Sequence, residues 1–193
     1  MAAPGTDLNR YVVAVTGASG MIYARKLLAY FAGRPDLELH AVISGAGEQV
    51  LALELGLKPR DLAPGAVWHR VEDFTAPLAS GSFRARAMVV VPCTMGTLGA
   101  IAQGVGRNLI HRAAEVFLKE KRPLILVVRE TPLSLIHLKN LTRAAAAGAT
   151  IFPACPGFYH HPQNLEELAR QFAGRILDHL GLEHQLCARW GEG

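Results

Sequence analysis

Cysteine is scarce. Cys93, Cys155 and Cys187 are odd in number and far apart, which fits neither a disulfide framework nor a zinc-ligand set. We read the three thiols as buried or idle. Long apolar runs are also missing: the longest, Ala87 to Ala102, is broken by Pro92, Gly96 and Gly99, which excludes a membrane-spanning helix. The opening stretch MAAPGTDLNR carries an acid and a proline where a secretory signal needs an apolar block, so the chain reads as soluble and cytoplasmic. No dense block of one charge sign occurs. Lys and Arg exceed Asp and Glu by 20 to 16, for a formal net charge of +4, but the cations are scattered. That argues against nucleic acid as partner and for small anionic ligands.

What is present is apolar and periodic. Half of the 193 residues are hydrophobic, enough for one α/β domain with a sizeable core. We take 1–193 as a single domain, with 1–10 as an N-terminal extension and 181–193 as a tail. YVVAVT (Tyr11 to Thr16) reads as a strand, followed by a glycine turn and a helical stripe over Met21 to Ala32. LELHAVI predicts a second strand ending at Ser44, and Glu48 to Leu55 a short helix. AMVVVP (Ala87 to Pro92) and LILVV (Leu124 to Val128) have the continuous apolarity of strands buried on both faces, and GATIFP is a weaker copy. Helical stretches lie at Leu98–Gln103, Arg112–Lys121, Ser134–Ala147 and Leu165–Leu180. Lys58 to Ser82, with three prolines, reads as a surface excursion. The alternation predicts a parallel, Rossmann-like sheet with helices on both faces and ligands at the carboxyl ends of the strands.

Candidate sites cluster at those ends. In Gly17-Ala18-Ser19-Gly20 a tight turn opens a helix whose free N–H groups and dipole favour an anion. The dinucleotide fingerprint needs a further glycine and an acid closing the second strand, but Ser19 and Ser44 stand there, which favours a mononucleotide or phosphate ester over NAD. PCTMGTLGAIA (Pro92 to Ala102) presents Thr94 and Thr97 at the mouth of another helix, with Thr97 as a candidate N-cap. Arg129 and Glu130 close the LILVV strand, where a charged pair is costly unless used. GFYHHP (Gly157 to Pro162) and Arg175 add an aromatic hydroxyl and a cation. The doublet His160-His161 lacks helical spacing and an acidic cluster, so no metal is expected. Trp190 in the tail is placed to cover a site or plug an interface.

With these pieces in order, the chain resembles the flavin prenyltransferases of the UbiX family. The resemblance runs from Tyr11 to Gly191 through TGASG, ASGSF (Ala79 to Phe83), PCTMGTL, the long segment Asn108 to Pro132, PGFYHHPQ and ARWGE. It implies a flavodoxin-like flavoprotein that alkylates reduced FMN at N5 and C6 with dimethylallyl phosphate, making prenylated FMN for a UbiD-like decarboxylase. By the same resemblance Gly17, Ala18, Ser19, Ser44, Thr94, Met95, Gly96, Thr97 and Arg129 contact FMN. Tyr159 and Arg175, with Lys119 nearby, hold the prenyl phosphate. Glu130 is the acid/base, and Ser19 and Trp190 complete the catalytic set. The family's usual dodecamer would let Glu54 or Arg112 serve a neighbouring site. Two other readings are an FMN-binding decarboxylase-accessory protein and a flavin-dependent cysteine decarboxylase. The latter needs a histidine on the early helix, where this chain has none before His40.

Overall fold

The computed structural model describes residues 9–187. Its core is a six-stranded parallel sheet in the order β3-β2-β1-β4-β5-β6. The strands are β1 (Arg10–Val15), β2 (Glu38–Ile43), β3 (Val67–His69), β4 (Ala87–Cys93), β5 (Leu124–Val128) and β6 (Thr150–Pro153). The helices are α1 (Met21–Ala32), α2 (Gly45–Leu55), α3 (Pro59–Leu62), α4 (Met95–Gln103), α5 (Leu109–Lys119), α6 (Leu135–Ala146) and α7 (Leu165–His179). From β1 the chain moves outward through β2 to β3, then crosses back to β4 on the other side. The strand order therefore reverses between β1 and β4.

The alternation of side chains along β1 divides the core in two. Val13 and Val15 face α1 and α7, packing with Leu27, Leu28, Phe31, Phe172 and Ile176. Val12 and Ala14 face the opposite layer, with Leu98, Leu109, Ile110, Ala113 and Phe117 from α4 and α5. Helices on both faces bury every residue of β4 and β5, which is why those two strands carry no polar alternation. α1 and α7 are also joined outside the core by Glu166, which pairs with Arg25 and Lys26. Among the described residues no helix is long and apolar enough to cross a membrane.

Two sequence expectations change. The segment 58–82 is more than an excursion: Val67–His69 adds the edge strand β3 to β2, and Leu62, Ala63, Ala76 and Leu78 are buried. A three-residue strand beside prolines is too short for periodicity to register. Thr97 is not the N-cap of α4. Thr94 is, its hydroxyl accepting the Thr97 N–H at 3.1 Å, so α4 begins at Met95 and Thr97 lies inside its first turn.

Candidate functional site

The reversal between β1 and β4 leaves a crevice outside the strand ends, the place where open α/β sheets bind ligands. Thr16 closes its floor. Its buried hydroxyl donates to the Pro92 carbonyl at 2.7 Å and accepts the Thr94 N–H at 2.9 Å, tying the ends of β1 and β4 together. Sequence reasoning passed over Thr16, because a threonine ending a strand has no local mark of such a clamp.

Three helix N-termini meet around this floor, and they differ in what they hold. At α1, Gly20 takes a left-handed conformation (φ 109°) that favours glycine. Its N–H and that of Met21 are accepted by the Glu54 carboxylate, at 3.0 and 2.8 Å. The anion seated on the Gly17–Gly20 turn is thus a side chain of the same subunit. Gly17 is required for another reason: a Cβ there would stand 2.5 Å from the Ala46 Cβ and 3.0 Å from the Ala46 carbonyl carbon, so α2 packs directly on the turn. Ala18 is buried beneath it and Ser19 is exposed.

At α2 and α4 the first turns are open. Ser44 caps α2 through the Gly47 N–H at 3.0 Å, and a Cβ at Gly45 would meet nothing within 4 Å. Thr94 caps α4 and donates to the Thr97 hydroxyl at 3.0 Å, and a Cβ at Gly96 would meet only the Thr94 hydroxyl, at 3.9 Å. Helical first-turn N–H groups have no partner within their own helix, so both termini offer donors and space to an anion.

Arg129 stands at the end of β5, its N–H bonded to the Cys93 carbonyl at 3.3 Å. Its Nε is buried and has no hydrogen-bond partner among the described residues. A buried guanidinium N–H left unpaired is costly, so this atom calls for an acceptor from a ligand. Glu130, the next residue, is exposed, and its carboxylate accepts the Thr131 N–H at 3.1 Å. Cys93 takes no part as a nucleophile, because full burial pushes its thiol up to about 12.

The chain belongs to the UbiX flavin prenyltransferase family. The Flavoprotein family model matches residues 5–171. The flavin prenyltransferase UbiX of Halalkalibacterium halodurans is 45% identical, over 94% of this chain and 93% of that protein. The crystal structure of AnUbiX (PadA1) in complex with FMN and dimethylallyl pyrophosphate superposes with a TM-score of 0.89 at 45% identity, covering 95% of this chain and 98% of the other. A dodecameric FMN-dependent UbiX-like decarboxylase from Escherichia coli O157:H7 superposes at 0.91 and 40% identity, covering 94% and 98%. The single α/β flavoprotein domain expected from the sequence is therefore what the chain forms.

Of the residues that the UbiX resemblance singles out, Tyr159 and Arg175 meet in a second cleft of about 250 Å³, lined also by Phe152, Cys155, Gln171 and Phe172. Gly157 lets Tyr159 fold back, since a Cβ there would lie 2.8 Å from the tyrosine ring. Lys119 is not nearby, contrary to the expectation. It ends α5 just before the amino end of β5, paired with Glu120 at 2.7 Å, in the layer that α4 and α5 form, whereas Arg175 is on α7 and shares its cleft with Phe152 and Phe172 in the α1–α7 layer on the other face of the sheet. Sequence distance hid this, because α5 and α7 follow different strands and the crossovers set them on opposite faces of the sheet. Arg112 donates to the Ala79 carbonyl at 3.1 Å on the α5 side. Trp190 lies outside the described residues.

Proposed function

We propose that this chain joins the dimethylallyl group of dimethylallyl phosphate to reduced FMN at N5 and C6, releasing phosphate. The observation that carries the reading is the buried Nε of Arg129, without a partner among the described residues, on the same carboxyl edge of the sheet as the open N-termini of α2 and α4. That arrangement fits a flavin with an anionic tail. The tail phosphate would take donors from the first turns of α2 (Ser44, Gly45) and α4 (Thr94, Met95, Gly96, Thr97), and Arg129 would reach the ring system. Gly17, Ala18 and Ser19 would line the flavin edge, with Glu54 holding the turn in shape.

Transfer breaks the allylic C–O bond and forms a C–N bond to N5, so positive charge develops on the allyl carbons and negative charge on the departing phosphate. Arg175 and the Tyr159 hydroxyl would hold that phosphate, with Lys119 supplied by a neighbouring copy. Such an assembly accords with the dodecameric relative. The N5 proton is lost overall to the phosphate. Closing the ring at C6 protonates one allyl carbon and removes the C6 hydrogen, and Glu130, just past a strand end, would carry such protons. Ser19 would orient the reacting edge and Trp190 would flank the prenyl group. The prenylated FMN would pass to a UbiD-like decarboxylase.

The test is anaerobic incubation of the protein with reduced FMN and dimethylallyl phosphate, followed by mass and absorbance spectra of the released flavin. A flavin heavier by one prenyl unit is expected. Recovery of unmodified FMN, bound but unchanged, would instead favour an accessory flavin binder.

A further inference from the structure

Three residues outside the set assigned above converge behind Arg175. Asp178 Oδ2 accepts from Arg175 Nη1 at 3.2 Å, and Asp178 Oδ1 lies 3.1 Å from His184 Nε2. His184 Nδ1 accepts the Leu186 N–H at 3.1 Å. A neutral imidazole whose Nδ1 accepts must carry its proton on Nε2, so His184 donates to Asp178. The side chains grade outward: His184 is 1% exposed, Asp178 15% and Arg175 63%. The carboxylate is thus fixed from behind, and the guanidinium projects in front of it.

Gly174 permits this docking. A Cβ there would lie 2.7 Å from Cys187 Sγ and 3.0 Å from His184 Cε1, so the segment 184–187 rests directly on the α7 backbone. The donor atoms of Asp178, His184 and Cys187 lie within 4.8 Å of one another, close enough to suggest a metal. The hydrogen bonding opposes it. With Nδ1 already accepting, a cation on Nε2 would demand an imidazolate, and Asp178 is already engaged by Arg175.

We propose that Asp178, held by His184, is a positioning residue for Arg175, presenting its guanidinium to the prenyl phosphate in the Tyr159 cleft. The proposal rests on the assignment of Arg175 to that phosphate. Asp178 uses one Nη1 hydrogen and leaves the rest of the fork for the incoming dianion. An arginine already oriented loses less freedom on binding than one sweeping through solvent. Exposed ion pairs on a helix usually contribute little, but here the acidic partner is itself anchored by a buried histidine.

The experiment varies dimethylallyl phosphate at saturating reduced FMN with the full-length protein. Asp178→Asn should raise KM for dimethylallyl phosphate about 3- to 10-fold while kcat and FMN affinity hold, as expected for lost pre-orientation. Gly174→Ala alters no charge but displaces the 184–187 segment, and should act in the same direction even if Asp178→Asn folds poorly. In an Arg175→Ala background, Asp178→Asn should add nothing. A lowered KM would make Asp178 a competitor of the phosphate and overturn the proposal. An equal rise in both backgrounds would make it merely structural, and zinc binding lost in His184→Gln would make the cluster a metal centre. If Arg175→Ala alone leaves KM unchanged, the phosphate assignment has failed, which is a separate result.

Discussion

At the proposed flavin end of the site the donors come from buried strand ends and capped helices, whereas at the proposed prenyl-phosphate end they come from a loop and an outer face of α7. Thr16, Ser44 and Thr94 are locked by hydrogen bonds of 2.7–3.1 Å to backbone groups, and α2 packs directly on Gly17. Tyr159 is 55% exposed and the Arg175 side chain 63%. One half is preformed inside a single chain. The other is an open rim whose second proposed cation, Lys119, stands on the opposite face of the sheet in the same subunit. The difference would suit the proposed ligands, since a large planar flavin gains from a rigid mould and a small phosphate must enter and leave at each turnover.

The sharpest way to break that contrast is to deform the mould. Gly17→Val would drive its side chain into the backbone of Ala46, which has no rotamer to yield, and should cost about 1–3 kcal/mol of stability. FMN binding should fall by about 10²-fold or more in a fluorescence titration, through the misplaced α2 terminus. Unchanged FMN affinity would show that the turn does not shape the flavin site.

Next in size is Glu130→Gln. It should leave folding and FMN binding intact and slow single-turnover prenyl transfer about 10²-fold or more, as loss of a positioned acid/base does. A wild-type rate would remove Glu130 from the chemistry.

At the open rim, Arg175→Ala should weaken dimethylallyl phosphate binding about 10- to 150-fold through one lost charge-assisted contact, and leave FMN affinity unchanged. Equal losses for both ligands would erase the division into two ends. Tyr159→Phe removes only a neutral hydroxyl and should cost about 2- to 10-fold in the same titration.

The smallest effect lies away from both ends. Burial, and then the neighbouring His40, hold His69 below the usual imidazole value, and burial does the same to His111. For a base whose folded pKa is depressed, stability is complete above the unfolded value and declines as pH falls toward the folded one. Melting temperature should therefore drop gradually below about pH 6.5, and His69→Phe should flatten the decline. A profile unchanged in His69→Phe would assign the loss to other groups.

The strong elements were legible because their cause is local. Short, β-branched apolar runs bounded by breakers, as at β4 and β5, read as strands covered on both faces, and the 3.6-residue stripes of α1 and α7 announce their buried sides. β3 was missed, since three residues carry no period. Its place was set by pairing with β2. At the site, the glycine turn, Ser44, Thr94, Arg129 and Glu130 were readable from their position at strand ends. Glu54 on the α1 terminus was not, because 34 residues separate that carboxylate from Gly20 and only the packing of α2 on Gly17 brings them together. The same holds for Thr16 as a clamp and for Asp178 and His184 behind Arg175.

The sequence by itself determined the alternating α/β order, the parallel sheet and the helix mouths that face its carboxyl edge, because hydrophobic period, glycine turns and N-cap hydroxyls act within a few residues. Only the tertiary structure decided which of those mouths remains open to a ligand, that Arg129 Nε has no partner among the described residues, and that Lys119 stands on the opposite face of the sheet from Arg175. Those outcomes depend on which distant segments share one end of the sheet, and burial and hydrogen-bond competition between such segments leave no mark on local sequence.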